Sequence, residues 1–258
     1  MTTPAHSRPP VVLLHAFPLD HRMWSAQVAD LTADGWSVEA WDLPGFGGTS
    51  VPSAQPDLAT VARGIADRVR ERGLDPVVVA GVSLGGYVAM ALLREAPDVL
   101  AGLMLCDTKA GADMPEACAQ RLAMAQALEE DPDSWPAAIV DTLLPRLVGA
   151  TTVASRPVVA NRIRQWCTEA STGTLAWYQR AMAARPDSHD DLRAARLPTL
   201  VLWGEEDVLS PEADQRAMLA CLPTALAAVI PQAGHLAVVE QPQAARVAMS
   251  AFLDGAFR

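Results

Sequence analysis

Three residues have the types and order to do chemistry together: a serine at a glycine-flanked corner, an aspartate much later in the chain, and a histidine beyond it. Ser83 stands in Gly81-Val82-Ser83-Leu84-Gly85-Gly86, after the β-branched run Val77-Val78-Val79-Ala80 and before the helix-forming stretch Tyr87 to Ala96, which Pro97 closes. The first run reads as a strand buried on both faces, the second as a helix. A serine at such a corner is held in a strained backbone conformation with its hydroxyl above the sheet edge. Gly81 and Gly85 leave room where strand and helix cross closely. The N-terminus of the helix favours negative charge developing at the serine.

A serine hydroxyl is a weak nucleophile at neutral pH and needs a base within hydrogen-bond reach. Among the histidines, His6 lies in the opening segment, His21 in the first helical region and His189 at the exit of a helical stretch. His235, in Gln232-Ala233-Gly234-His235-Leu236, follows the last expected strand and is the one placed to be that base. A carboxylate should orient its ring. Asp207, after the fifth strand, is the better candidate; Asp107, after the fourth, is the rival. An acyl intermediate also needs two backbone N–H donors, expected from Leu84 and from Phe17 in the loop after the first strand. His15 reads as a brace for that loop. Gly45 and Gly47 read as a tight turn, since no lysine follows in the frame a phosphate loop needs.

The elements that must position these residues alternate. Strands are expected at Val11–Leu14, Ser37–Asp42, Val77–Ala80, Leu103–Cys106, Thr199–Trp203 and Ala227–Ile230, with helices between them and a last helix from Gln241 to Leu253. This rhythm predicts a mostly parallel, doubly wound α/β sheet with right-handed crossovers. Ser83, Asp107, Asp207 and His235 would then share the edge at the strands' carboxyl ends, where ligands bind in such sheets. From residue 108 to 191 the pattern is helical and reads as an inserted cap on a core formed by residues 1–107 and 192–258.

With 258 residues, a net charge of −10 and half its residues apolar, the chain suits one large α/β unit. It lacks any basic cluster, which makes nucleic acid and anionic membrane poor partners. Cys106, Cys118, Cys167 and Cys221 are widely spaced without a CxxC, as expected of free thiols in a reducing compartment. No apolar run suggests a leader or a membrane span, so a cytoplasmic protein is expected. No metal or cofactor is expected: there is no HExxH, and the histidines are not spaced as ligands. Oligomeric state is not readable.

The corner around Ser83, the loop His15-Ala16-Phe17-Pro18, the turn Asp42-Leu43-Pro44-Gly45-Phe46-Gly47, the strand end Gly204-Glu205-Glu206-Asp207 and Gly234-His235 together resemble the α/β-hydrolase superfamily. Within it the chain looks most like small bacterial esterases, 3-oxoadipate enol-lactonase-like proteins and cofactor-free haloperoxidases. Two departures are His15-Ala16, where these families usually have His-Gly, and a start with room for at most one strand before Val11. The resemblance implies a Ser83–His235–Asp207 triad that cleaves a small to medium, largely apolar ester. Alternatives are a lactone or enol-lactone substrate, perhydrolase chemistry at the same serine, and a slow-turnover protein that senses a small ligand.

For the substrate, Trp135, Trp166, Trp177 and Tyr178, with Met124, Leu143 and Leu144, give the cap an apolar inventory that could face an acyl group; the same residues would serve equally to pack the cap. Lys109, the only lysine, could meet a substrate carboxylate at the rim. A dicarboxylate lactone would need more cations than this one, which ranks simple ester hydrolysis above enol-lactone opening.

Overall fold

The computed structural model describes residues 8–133, 135 and 137–257, and of residues 137–139 the backbone alone. His6 lies outside this set. Strand β1 (Val11–Leu14) leads through a short 3-10 turn into α1 (Ser25–Ala33), β2 (Val38–Trp41) and α2 (Leu58–Glu71). Then come β3 (Val77–Val82), α3 (Leu84–Glu95) and β4 (Leu100–Cys106). Six helices follow without a strand: α4 (Pro115–Glu130), α5 (Ala137–Leu147), α6 (Ala150–Ser155), α7 (Pro157–Cys167), α8 (Thr172–Ala183) and α9 (His189–Ala194). The chain ends with β5 (Thr199–Gly204), α10 (Glu212–Cys221), β6 (Leu226–Ile230), α11 (Ala237–Glu240) and α12 (Pro242–Ala256).

The six strands form one sheet in the order β2-β1-β3-β4-β5-β6, and every pairing is parallel. Because parallel strands are covered on both faces, their side chains feed two cores. Val12, Leu14, Val77 and Val79 point into one with α2 and α3, whereas Val11, Leu13, Val78 and Ala80 point into the other with α12. Helix α2 shows how the sequence selects its face. Val61, Ile65 and Val69 recur at helical spacing and are buried, and Asp57 caps the N-terminus by accepting from Ala59 N–H.

Strand β4 starts at Leu100, earlier than expected, because Leu100-Ala101-Gly102 continues the ladder beside β3 once Val99 has closed a 3-10 turn. The short helix α11 was not expected: Ala237-Val238-Val239 is apolar enough to read as extended chain, yet it coils against the core immediately after His235. All four cysteines are free. Among the described residues no helix is long and apolar enough to cross a membrane.

Candidate active site

The direction of strand addition reverses between β1 and β3, so the loops leaving these neighbours part to opposite sides and open a crevice at their carboxyl ends. Ser83 stands in that crevice with φ 53° and ψ −110°. This is the mirror of an extended, polyproline-like conformation, which glycine takes freely and a serine only under constraint. The constraint is visible: Ser83 N–H donates to Cys106 O at 3.0 Å, and its carbonyl accepts from Tyr87 N–H at 3.0 Å and Thr108 Oγ1 at 2.9 Å. The neighbouring glycines serve close approach. A Cβ on Gly81 would lie 2.2 Å from the Gly85 carbonyl, and one on Gly85 would lie 2.2 Å from Leu14 O.

Ser83 Oγ lies 2.7 Å from His235 Nε2. On the far side of the ring, Nδ1 is 3.0 and 2.9 Å from the two carboxylate oxygens of Asp207. The Nδ1 proton faces the carboxylate, leaving Nε2 to accept from the serine hydroxyl. Burial alone would push the Asp207 carboxyl up, but the charge and hydrogen bond of His235, together with Ser210 Oγ and Leu209 N–H, hold it below the usual carboxylate range. Asp207 is thus an ionised, fully donor-satisfied acceptor.

Asp107, the rival, does something else. Its oxygens accept from Gly204 N–H at 2.8 Å and Ala237 N–H at 3.0 Å, tying the end of β5 to the start of α11. Burial first, and then the Asp207 charge, raise its carboxyl well above the ordinary value. The imidazole of His235 hydrogen-bonds to Asp207, while Asp107 bonds only to backbone.

The loop after β1 is braced as expected. Leu43 N–H donates to His15 Nε2 at 3.0 Å, so Nδ1 carries the proton and donates to Ala16 O, also at 3.0 Å. Burial lowers the His15 ring to about 4, keeping it neutral. Phe17 lines the same cavity as Ser83. Among the described residues neither the Phe17 nor the Leu84 N–H donates a hydrogen bond within the protein, and Leu84 opens α3. Both amides are free to receive an external acceptor.

A second carboxylate organises the His235 loop from beneath. Glu240, buried in α11, accepts from Gly234 N–H at 2.9 Å and Leu236 N–H at 3.2 Å through one oxygen. Its other oxygen accepts from Gly149 N–H at 2.8 Å and Thr152 Oγ1 at 2.5 Å. Glu206, beside Asp207, accepts from both Thr151 N–H and its hydroxyl. The start of α6 is therefore fastened to the two loops that carry Asp207 and His235.

The cavity over Ser83 and His235 holds about 210 Å³. Its apolar wall is built by Phe17, Met124, Leu143, Leu147 and Met182. Met124 and Leu143 thus lie where the sequence inventory put them, but the tryptophans do not. Trp177 packs edge-on against Tyr178 and donates from Nε1 to Ala54 O at 3.3 Å, pinning α8 to the main sheet's loops. Trp135 is buried in the core, and Trp166 lines a separate depression under Arg22. Their large apolar area is spent on packing, the role their composition equally allowed. Lys109 does line the cavity, with its Nζ 3.3 Å from Asp113 Oδ1. Arg121 and Arg146 line it too, and neither is marked out by the sequence, because residue type alone does not say which charged side chains of α4 and α5 turn towards Ser83.

The donor set that could hold a metal, His21 with Asp20 and Asp42, gathers its ligand atoms within 4.8 Å. Its carboxylates are committed, Asp20 to the Arg22 guanidinium and Asp42 to His21. It borders a different depression from the one over Ser83.

Residues 11–248 match the family model described as the alpha/beta hydrolase family. A thermophilic esterase from Thermogutta terrifontis, solved with malate bound, superposes with a TM-score of 0.90 at 39% identity, covering 96% of this chain and 90% of its own. Pimeloyl-[acyl-carrier protein] methyl ester esterase from Aromatoleum aromaticum is 29% identical over 92% of this chain and 95% of its own length. The enol-lactonase from Burkholderia xenovorans shares the fold, with a TM-score of 0.84 at 24% identity over 96% of this chain and 93% of that one. The match to an abhydrolase domain-containing protein of Caenorhabditis elegans spans 45% of this chain and only 27% of that protein's length.

Proposed function

The chain belongs to the alpha/beta hydrolase family, and from that premise we propose that it hydrolyses carboxylic esters with Ser83 as nucleophile, His235 as general base and acid, and Asp207 as the group that orients His235. The observation that carries this reading is the 2.7 Å contact between Ser83 Oγ and His235 Nε2, backed by a carboxylate 2.9 Å behind the ring.

In the proposed cycle Ser83 Oγ attacks the ester carbonyl carbon as its proton passes to Nε2. Charge builds on the carbonyl oxygen, and the Phe17 and Leu84 amides receive it. The C–O bond to the alcohol then breaks, and His235 returns the proton to the leaving oxygen. Water attacks the acyl-serine by the same route, its proton going to Nε2, and Ser83 recovers that proton as the acid departs. A lactone is the same carbonyl with its alcohol tethered, so ring opening follows the same steps. The likeness to the Thermogutta esterase and the Aromatoleum methyl ester esterase supports ester hydrolysis.

Labelling with a fluorophosphonate, followed by peptide mapping, tests the reading. A covalent adduct on the peptide carrying Ser83, together with turnover of a p-nitrophenyl ester, is the expected result. An unlabelled Ser83 in folded protein that also fails to turn over ester panels would overturn it in favour of a binding protein.

A further inference from the structure

The cavity over Ser83 is electrically at odds with the molecule that contains it. The protein carries a net charge of −10, yet Lys109, Arg121 and Arg146 all line this cavity. Among the described residues Asp113 is the one carboxylate in its wall. Asp113 cannot neutralise that trio, because its charge is already shared with a fourth cation. Arg185, its side chain only 5% exposed, places Nη1 2.8 Å from Asp113 Oδ2 and Nη2 2.9 Å from Oδ1. Arg121 Nε lies 2.6 Å from the same carboxylate and Lys109 Nζ 3.3 Å. Burial works against the Asp113 charge, but Arg185 and Arg121 outweigh it and keep the carboxyl well below its usual range. Arg146, exposed on α5, has no ion pair among the described residues.

Pairing Asp113 with Arg185 leaves three positive charges facing a space that also contains the reactive serine. Like charges gathered round a small cavity repel one another, and an anion bound between them relieves that repulsion. The network around Asp113 also fixes Arg121 and Lys109 in place, so little side-chain freedom is lost on binding. We infer that Lys109, Arg121 and Arg146 form an anion subsite beside Ser83, and that the ester this protein takes carries a carboxylate on a short apolar spacer. The spacer lies against Met124, Leu143 and Leu147. This rests on the hydrolase reading above; the reaction remains water in, alcohol and acid out, and the carboxylate is a spectator held away from the reacting carbonyl.

The test compares monoethyl glutarate with diethyl glutarate, which presents the same chain without the charge. The monoester should be preferred in kcat/KM by about tenfold or more, as expected for charged hydrogen bonds, and the preference should shrink with added salt. Arg146→Gln should lower the preference several-fold through KM, and Lys109→Gln should do the same. Arg146→Gln guards against misfolding, since that side chain supports no ion pair. Binding of glutarate itself, measured by calorimetry, separates the two readings. If the diester is hydrolysed and Ser83 is labelled but no preference for the monoester appears, the subsite is wrong and the hydrolase stands. If neither ester is cleaved, yet glutarate binds and Lys109→Gln weakens it, the subsite stands and the hydrolase reading falls.

Discussion

His235 presents Nδ1 to both carboxylate oxygens of Asp207, at 3.0 and 2.9 Å, from a position 28 residues further along the chain. The two side chains are almost wholly shielded from water, 5% and 0% exposed, so in the proposed cycle a charge on the ring would have this carboxylate as its compensating partner. Asp207→Asn leaves the shape but allows the wrong tautomer. Turnover of a p-nitrophenyl ester should fall by about 10³–10⁴-fold. Asp107→Asn instead sets an amide against a backbone N–H and should cost about 1–3 kcal/mol of stability, with a far smaller loss of turnover. Measuring urea midpoint and kcat on both variants separates the roles; the reverse pattern would make Asp107 the orienting acid.

Ser83→Ala and Ser83→Gly should part company in stability while agreeing in activity. Both remove the proposed nucleophile, so both should lose about 10³-fold or more in kcat. Alanine inherits the strained φ of 53°, whereas glycine relaxes it and should gain on the order of 1 kcal/mol. Thermal melts decide this, and a glycine variant that melts below the alanine variant would show that the corner is unstrained.

Glu240→Gln puts a donor where the carboxylate accepts from four groups on the His235 loop and the start of α6. At least one buried N–H loses its partner, costing about 1–3 kcal/mol. The loss should fall first on the seam between α6 and the Gly234–Leu236 loop. Amide hydrogen exchange should show protection lost at Gly149, Gly234 and Leu236 while β3 is unchanged; uniform loss would mean that Glu240 supports the whole fold instead.

His15 makes stability fall in mild acid. Its folded value is about 4 against an ordinary 6.5, so the unfolded chain takes up a proton that the folded one refuses. The contribution is complete above pH 6.5, declines as pH drops from 6.5 towards 4, and amounts to roughly 3 kcal/mol at its limit. Urea midpoints across this range should fall with pH in the parent protein and flatten in His15→Gln. An unaltered slope in the variant would assign the acid sensitivity elsewhere.

Much of the site was legible because fold and chemistry point to the same places. Ser83, Asp207 and His235 each follow a strand, and a parallel sheet sends the loops after its strands to one edge. Once the order of elements is read, their meeting follows. Asp207 is already the better candidate in the sequence, and what the coordinates add is the partners that separate it from Asp107: the His235 ring for the one, backbone N–H groups for the other. The pocket wall was legible only in part: Met124, Leu143 and Lys109 line it, but the tryptophans do not. Trp177 and Trp166 are as apolar as any substrate contact, and residue type does not say which way a cap helix is rolled. Arg121 and Arg146 are hidden for the same reason, and nothing in the residue types around Glu240 says that its carboxylate joins the nearby Gly234–Leu236 loop to Gly149 and Thr152 far earlier in the chain.

The sheet order also bears on how the molecule is made. From β3 outward the strands are laid down in the order of synthesis, each against the one before, so Ser83 is in place long before Asp207 and His235 leave the ribosome. A chain released just before Thr199 would carry the hydroxyl with neither companion and would leave β4, whose residues Gly102–Cys106 are buried, bare along one side. Such a fragment would be both chemically inert and prone to stick to its own kind. The segment that brings Asp207 and His235 to Ser83 is the same one that covers the open side of β4.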